Sequence, residues 1–142
     1  MTGSRSQTEQ VQPPRSWNDL GESHGADAAY DSVKKYHQAW TTGDVEQAMS
    51  YVADDITCRA PGIGLNGKDA YQDFIAGFVP ALTGIGDIAE FVDGDRVALF
   101  YYPQTAATST TPDAEFFTVR EGTIAQSVLI FDRLSYGPPE QD

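Results

Sequence analysis

The chain has 142 residues, and 40% of them are apolar, which is enough for one domain with a single core. Nine basic and 21 acidic side chains produce a net charge of −12, which disfavours nucleic acid and anionic membranes as partners. No apolar run approaches the roughly 20 residues of a membrane span, and the N-terminus lacks the basic-then-apolar order of a signal peptide. We therefore expect a cytoplasmic protein.

A metal site has little support in the sequence. Cys58 is the only cysteine, so no internal disulfide can form. The two histidines, His24 and His37, lack the spacing of a metal-binding cluster. We predict no structural or catalytic zinc.

The N-terminal half of the chain is predicted to be a flexible arm followed by helices. Residues 1–26 are rich in Ser, Gln, Gly and Pro, and Trp17 is the aromatic residue that could anchor them. From residue 27 the pattern is helical until Gly43, and Asp44 is expected to cap a second, short helix. The apolar face of the first helix contains Ala29, Val33, Tyr36 and Trp40, and that of the second contains Val45, Ala48, Met49 and Val52.

The rest of the chain is predicted to form one strand, a third helix and then four further strands. A strand is predicted from Ile56 to Ala60, an irregular Gly- and Pro-rich loop over residues 61–67, and a third helix that Pro80 should end or kink. The face of this helix contains Ala70, Phe74, Phe78 and Leu82, and four further strands are predicted at 88–92, 96–104, 115–120 and 123–134. This order predicts an α+β domain over residues 27–136, with three helices packed on a curved, mainly antiparallel sheet that encloses a pocket, and a tail at 137–142.

Asp132 interrupts the apolar pattern of the last predicted strand. In a continuous strand its side chain would leave the same face as those of Ile124, Val128, Ile130 and Leu134. A carboxylate in such a row is costly to bury and is suited to act as a general acid or base. The alternative is an exposed aspartate near the strand end that pairs with a neighbouring basic residue.

Four segments of the chain resemble a known family. The order of helix, Gly-Asp, short helix, acidic exit, strand, Gly-containing loop, helix and meander is similar to the nuclear transport factor 2-like superfamily, and more narrowly to its SnoaL-like and ketosteroid isomerase-like branch. The resemblance covers residues 27–136 and implies a cone-shaped α+β barrel with a deep pocket, commonly dimeric, whose chemistry needs no metal or organic cofactor. The segments are VKKYHQAWTTGD (33–44), YVADDIT (51–57), GKDAYQDF (67–74) and IFDR (130–133).

The resemblance implies roles for three residues. Asp132 matches an aspartate near the end of the final strand that acts as acid or base in polyketide cyclases. Tyr36 matches a tyrosine that donates to a developing enolate oxygen in ketosteroid isomerases, although it also fits the apolar core. Glu115 lies near the second oxyanion-side acid of that family, and a solvated strand-edge glutamate is the alternative.

Two activities of the family lack their residues in this chain. Steroid isomerases carry a proton-shuttling aspartate just before the proline of the first-strand loop, where Arg59-Ala60-Pro61 stands here. Epoxide hydrolases need an Arg and a second Asp on the strand occupied by residues 99–104, and a Tyr and an Asn where Thr57 and Arg59 stand. The first reaction therefore lacks its base, and the second lacks its water-activating set.

What remains is a pocket predicted to be large, aromatic and sparsely polar, which fits an extended apolar small molecule. Arg59 either faces this pocket or pairs with an acidic residue on the surface. The predicted substrate-binding residues are Trp40, Arg59, Tyr71, Phe74, Phe78, Phe100, Tyr102, Glu115 and Phe117.

We predict a small-molecule cyclase of specialised, polyketide-type metabolism such as antibiotic biosynthesis, with Asp132 and Tyr36 as catalytic residues. Ring closure would follow either an acid/base-assisted aldol or Michael addition or a pericyclic four-plus-two addition governed by shape. The alternatives are a non-catalytic binding or accessory protein, and an isomerase or dehydratase that uses Asp132 with His37. The last strand is apolar on both faces, and together with the resemblance this predicts a homodimer.

Overall fold

Three helices precede most of the sheet along the chain. The computed structural model describes residues 24–136, so the predicted tail 137–142 and the part of the predicted arm that contains Trp17 lie outside the described residues. Short 3-10 helices occupy Val79–Ala81 and Arg133–Tyr136. The remaining elements are α1 (His24–Thr41), α2 (Val45–Met49), β1 (Val52–Ala60), β2 (Ile63–Asn66), α3 (Lys68–Phe78), β3 (Leu82–Asp93), β4 (Arg96–Thr105), β5 (Asp113–Arg120) and β6 (Thr123–Ile130).

Helix α1 buries the apolar face that its sequence predicts. Ala29, Val33, Tyr36 and Trp40 are all buried and belong to the main core cluster. The helix begins at His24, three residues before the predicted start, and the chain leaves it through Gly43 at a φ of +98°. A positive φ of this size is readily adopted by glycine alone, which explains the end of the helix there.

The two shorter helices also follow local sequence signals. The side chain of Asp44 accepts a hydrogen bond from the backbone N–H of Gln47 at 3.0 Å and so caps α2. Helix α3 ends at Phe78, and Pro80 lies in the 3-10 helix that follows, since proline cannot continue an α-helical hydrogen-bond ladder. Tyr71 and Ile75 are the buried residues of α3.

The strands form one curved, open sheet with the order β2-β1-β6-β5-β4-β3. The pair β1 and β6 is parallel, and the other four pairs are antiparallel. The helices pack on one face of this sheet, called here the inner face, and the core cluster lies between them. The predicted α+β class, with helices on a curved and mainly antiparallel sheet, is confirmed.

Several strand boundaries differ from the sequence pattern. Part of the predicted irregular loop is a short edge strand, β2, which pairs with the end of β1 through contacts such as Cys58 with Leu65. Strand β3 begins six residues before its predicted start, and β5 begins at Asp113, two residues before its predicted start. Strand β6 ends at Ile130, four residues before its predicted end at Leu134. The early start of β5 places Asp113 on a strand, and the early end of β6 leaves Asp132 outside one.

Across the described part of the chain, no helix combines the length and the apolar character needed to cross a membrane.

Candidate functional site

A cavity lies between helices α1 and α3 and the inner face of the sheet. Its volume is about 140 Å³, which is smaller than the roughly 300–1,000 Å³ typical of pockets for drug-sized ligands. The lining is mostly apolar, six of its ten residues being aromatic. It consists of Trp40, Phe74, Ile75, Phe78, Tyr101, Asp113, Glu115, Leu129, Phe131 and Tyr136.

Strand β5 delivers two acidic residues to this apolar cavity. Along β5, Asp113, Glu115, Phe117 and Val119 alternate with more exposed residues, so all four face the helices. The side chains of Asp113 and Glu115 are 6% and 3% exposed. Residues two apart on a strand are separated by about 6–7 Å, which brings both carboxyl groups to one wall.

Glu115 is hydrogen-bonded inside the cavity wall. The phenol of Tyr101, which is buried on the neighbouring strand β4, donates to Glu115 Oε2. Burial raises the pKa of Glu115 to about 7, and the bond from Tyr101 opposes part of that rise. Burial also raises the pKa of the Tyr101 phenol, so Tyr101 stays neutral and remains a donor.

Asp113 is held by a second phenol. Tyr136, on the 3-10 helix that follows β6, donates to Asp113 Oδ1 at 2.5 Å. Burial raises the pKa of Asp113 to about 6, while the bond from Tyr136 acts in the opposite direction. Two phenol–carboxyl pairs that titrate near neutral pH therefore line one aromatic cavity.

The helical wall adds two buried nitrogen atoms. The indole N–H of Trp40, a lining residue, and Nε2 of His37 have no hydrogen-bond partner among the described residues. The His37 ring packs edge-on against Trp40 and Tyr101, and burial lowers its pKa to about 4, so it is neutral at physiological pH. A ligand with an acceptor oxygen would find an unused donor at Trp40.

Four of the predicted pocket residues do line the cavity. They are Trp40 and Phe78, whose rings pack edge-on at 6.3 Å, together with Phe74 and Glu115. Glu115 is buried, so the alternative of a solvated strand-edge glutamate is wrong.

Asp132 is not in the predicted position. Strand β6 contains a bulge, because Thr118 pairs with Gln126 while Val119 pairs with Ile124, which leaves Ala125 as an extra residue. Beyond the bulge the parity is reversed, so Leu129 and Phe131 reach the cavity, whereas Ile130 is exposed.

The carboxyl group of Asp132 has a local structural role instead. Asp132 is exposed, lies after the end of β6, and does not line the cavity. Its oxygens accept from the backbone N–H of Leu134 at 3.2 Å and from Ser135 Oγ at 2.8 Å. These bonds hold the start of the 3-10 helix, which is a common use of aspartate at such a turn. The prediction of a carboxylate in a buried apolar row is therefore corrected.

Three predicted site residues lie in the hydrophobic core and not in the cavity wall. Tyr36, Tyr71 and Phe117 are at most 1% exposed and do not line the cavity. The hydroxyl groups of Tyr36 and Tyr71 are hydrogen-bonded to each other at 2.5 Å, and Phe117 packs edge-on against Tyr36. The structure corrects their predicted place in the wall, and their bulk accounts for the small cavity.

Three further predicted residues lie outside the cavity. Phe100 and Tyr102 alternate with the buried residues Leu99 and Tyr101 on β4, so they leave the opposite face of the sheet. Arg59 is exposed on β1. The predicted positions of all three in the pocket wall are wrong, because on β4 and β1 the side chains that point to the inner face are those of the adjacent residues.

Six residues that line the cavity were not predicted from the sequence: Ile75, Tyr101, Asp113, Leu129, Phe131 and Tyr136. Asp113 shares the parity of Glu115, Phe117 and Val119, and this signal could have found it had the predicted strand been extended by two residues before Glu115. No local sequence signal marks the bulge that brings in Leu129 and Phe131.

Comparison with known proteins places the fold in a family. The model of the SnoaL-like domain matches residues 33–127. The chain belongs to the SnoaL-like domain family. A solved structure from Kribbella flavida DSM 17836 has 38% sequence identity and a TM-score of 0.73, and it covers 77% of this chain and 90% of its own.

Solved structures of lower sequence identity share the fold alone. A candidate polyketide cyclase from Xanthomonas campestris pv. campestris has 20% identity and a TM-score of 0.68, covering 79% of this chain and 96% of its own. A candidate ketosteroid isomerase from Kribbella flavida DSM 17836 has 16% identity and a TM-score of 0.69, covering 82% and 85%. No curated protein matches the chain.

Proposed function

We propose that this SnoaL-like protein is a cofactor-independent enzyme that transfers protons on a compact apolar carbonyl compound and closes a ring through the resulting enolate. The observation that carries this proposal is the pair Asp113 and Glu115, whose pKa values are raised to about 6 and about 7 within an aromatic cavity. Carboxyl groups that titrate near neutral pH can both take up and release protons during turnover.

The different pKa values suit the two groups to different roles. Between pH 6 and 7, Asp113 is mainly ionised and is the base, while Glu115 is mainly protonated and is the acid. Asp113 takes a proton from the carbon next to the substrate carbonyl, and the C–H electron pair becomes the enolate. Glu115 donates to the carbonyl oxygen as negative charge develops there.

Ring closure completes a balanced reaction. The enolate carbon bonds to a second carbonyl carbon, or to an acceptor alkene, of the same molecule, and the proton held by Asp113 passes to the new anion. The product is an isomer of the substrate, so no oxidant or reductant takes part. The aromatic walls would hold the two reacting carbons close together, which lowers the entropic part of the barrier.

The size of the cavity limits the substrate and supports one second candidate. A volume of about 140 Å³ fits a compact molecule better than the extended polyketide chain that the sequence suggested. Isomerisation shares the enolisation step and differs only in the carbon to which the proton returns, and it suits a small cavity equally well. A pericyclic addition would make no use of the two acids, and a simple binding protein would not turn over at all.

The test is the pH dependence of proton exchange on compact ketones. Cyclohexanone, 1-indanone and 2-tetralone are incubated with the protein in deuterated water, with binding checked by saturation-transfer NMR, and exchange at the α-carbon is followed by NMR. We expect a bell-shaped rate that rises through about pH 6 as Asp113 ionises and falls above about pH 7 as Glu115 ionises. Binding without exchange would favour the binding protein, and a pH-independent rate would exclude the acid–base pair.

We also propose that the protein is a homodimer that pairs through the outer face of the sheet. This face carries Phe91, Phe100, Phe116 and Ile130, which are 52%, 47%, 41% and 61% exposed. They lie on the four adjacent strands β3 to β6, and the rings of Phe91 and Phe100 pack edge-on at 5.7 Å. A continuous apolar surface of this kind on a chain of net charge −12 is typical of an interface.

A single charge at the centre of this surface should separate the subunits. Sedimentation velocity at micromolar concentration is expected to show a dimer for the wild type and a monomer for Phe116→Glu, because a carboxylate cannot be buried there without a partner. Ala28→Glu adds the same charge to an exposed position on α1, on the other side of the sheet, and should remain dimeric. A monomeric wild type would overturn the dimer proposal.

A further inference from the structure

Tyr136 occupies an unusual position among the cavity residues. It is carried by the 3-10 helix Arg133–Tyr136, beyond the last strand, whereas the other hydroxyl and carboxyl groups of the lining lie on β4 and β5. Its ring packs edge-on against Phe78 at 5.6 Å and Phe131 at 5.7 Å. Residues 131–136 therefore form part of the cavity wall without belonging to the sheet.

One close approach and one hydrogen bond connect this segment to the domain. At one end the guanidinium of Arg133 lies over Gly62, where an added Cβ would be 2.7 Å from Arg133 Nη1. At the other end the phenol of Tyr136 donates to Asp113 at 2.5 Å. Tyr136 is thus the point at which a peripheral segment contacts one member of the carboxyl pair directly.

The two phenol–carboxyl pairs are built differently. Tyr101, the partner of Glu115, is 1% exposed and fixed within a central strand. Tyr136, the partner of Asp113, is only half-buried and rests on two aromatic rings. The donor to Asp113 can therefore be removed or displaced with far less disturbance of the core.

We propose that Tyr136 is a positioning residue that, through its hydrogen bond, fixes the orientation and the protonation state of the Asp113 carboxyl. This inference rests on the proposed function for its catalytic meaning, because Asp113 is the base in that reaction. A phenol that donates to a carboxylate favours its ionised form, so Tyr136 keeps Asp113 ready to accept a proton at a lower pH than burial alone would allow.

The other titratable groups around Asp113 are common to all the variants used in the test. Glu115 lies on the same strand, and Tyr101 is directly opposite Asp113 on β4. His37 approaches from α1 through its contact with Tyr101 and stays neutral, and Asp132 acts on Tyr136 from the start of the 3-10 helix. Because Tyr136→Phe leaves these groups in place, a change in the titration of Asp113 reports the lost phenol.

The experiment is a carbon-13 NMR titration of the Asp113 carboxyl in full-length protein, assigned with Asp113→Asn. In Tyr136→Phe, which keeps the aromatic packing, the titration midpoint of Asp113 is expected to move upward by roughly one unit, the size of one hydrogen bond to a charged group. Tyr30→Phe is the matched control, since it removes a phenol–carboxylate bond of 3.0 Å to Glu90 outside the cavity. It should leave the Asp113 midpoint unchanged.

A second variant guards against a folding defect in the first. Phe131→Leu keeps the phenol of Tyr136 but weakens the packing that aims it, and it should give a smaller upward shift in the same titration. Unchanged midpoints in both Tyr136→Phe and Phe131→Leu would overturn the inference. An upward shift that leaves the acidic limb of the exchange rate unmoved would support the role of Tyr136 and contradict Asp113 as the base of the proposed function.

Discussion

Asp113→Asn is expected to lower the rate of ketone proton exchange by about 100- to 10,000-fold, the usual contribution of a general acid or base. Asparagine has nearly the same size as aspartate and still accepts from the Tyr136 phenol, so the cavity and its packing should survive. What is lost is the group that takes up the proton. Retention of probe binding, measured by saturation-transfer NMR, separates this loss from a structural effect.

The rate of Asp113→Asn should also lose the acidic limb of its pH profile. That limb reports the ionisation of the base, and the pKa of Asp113 is raised to about 6 by burial. A variant that retains the wild-type rate and profile would show that another group takes the proton.

Glu115→Gln is expected to stabilise the protein at pH 8 by up to about 3 kcal/mol and to have little effect at pH 4. The pKa of Glu115 is about 7 in the folded protein against 4.5 as a free side chain, and each unit is worth about 1.4 kcal/mol. Because the pKa of Glu115 is higher in the folded protein than in the unfolded chain, the free energy of unfolding of the wild type falls as pH rises through 7. That of Glu115→Gln has no such contribution. Glutamine remains neutral and can still accept from Tyr101.

Urea unfolding of wild type and Glu115→Gln at pH 4, 6 and 8 measures this difference. His37 acts in the opposite direction, because its pKa is lowered to about 4 and its stabilising effect is lost as pH falls, but this contribution cancels between the two proteins. Glu46→Gln changes an exposed glutamate and serves as the control. If the difference in unfolding free energy between wild type and Glu115→Gln were the same at all three pH values, burial would not raise the pKa of Glu115.

A gain in stability when a buried acid is neutralised, accompanied by a loss of activity, is the expected signature of a functional site. A buried ionisable group destabilises the fold, and its replacement by a neutral one of similar shape removes that penalty. A stability gain in Glu115→Gln, together with the activity loss in Asp113→Asn, would show that the cavity is a functional site and not an ordinary part of the core.

Local sequence signals predicted the helical half of the fold well. Asp44 caps α2, Pro80 follows the end of α3, and the face from Ala29 to Trp40 is buried as its spacing indicates. These features depend on interactions within a few residues, so they can be read from a short stretch of sequence.

The candidate site was harder to predict because it depends on strand parity. A bulge at Ala125 reverses the direction in which Leu129 and Phe131 point, and no local signal in the sequence marks it. Strand β6 then ends at Ile130, so Asp132 lies outside the strand. Without that extra residue, the sequence pattern placed Asp132, and not Asp113, in the cavity wall.

The size of the pocket also depends on contacts that the sequence does not show. Tyr36 and Tyr71 are 35 residues apart and meet through their hydroxyl groups in the core. Their rings fill space that the aromatic composition suggested would be open to a ligand, and so the cavity is smaller than predicted.

The most direct test of the account compares Asp113→Asn with Asp132→Asn in the ketone exchange assay. Both substitutions remove one aspartate charge, but the first carboxyl lines the cavity and the second is exposed and holds a 3-10 helix. We predict that Asp113→Asn loses exchange by at least about 100-fold, as expected for a general base, while Asp132→Asn stays near the wild-type rate. The reverse pattern would contradict the account and return the catalytic role to Asp132.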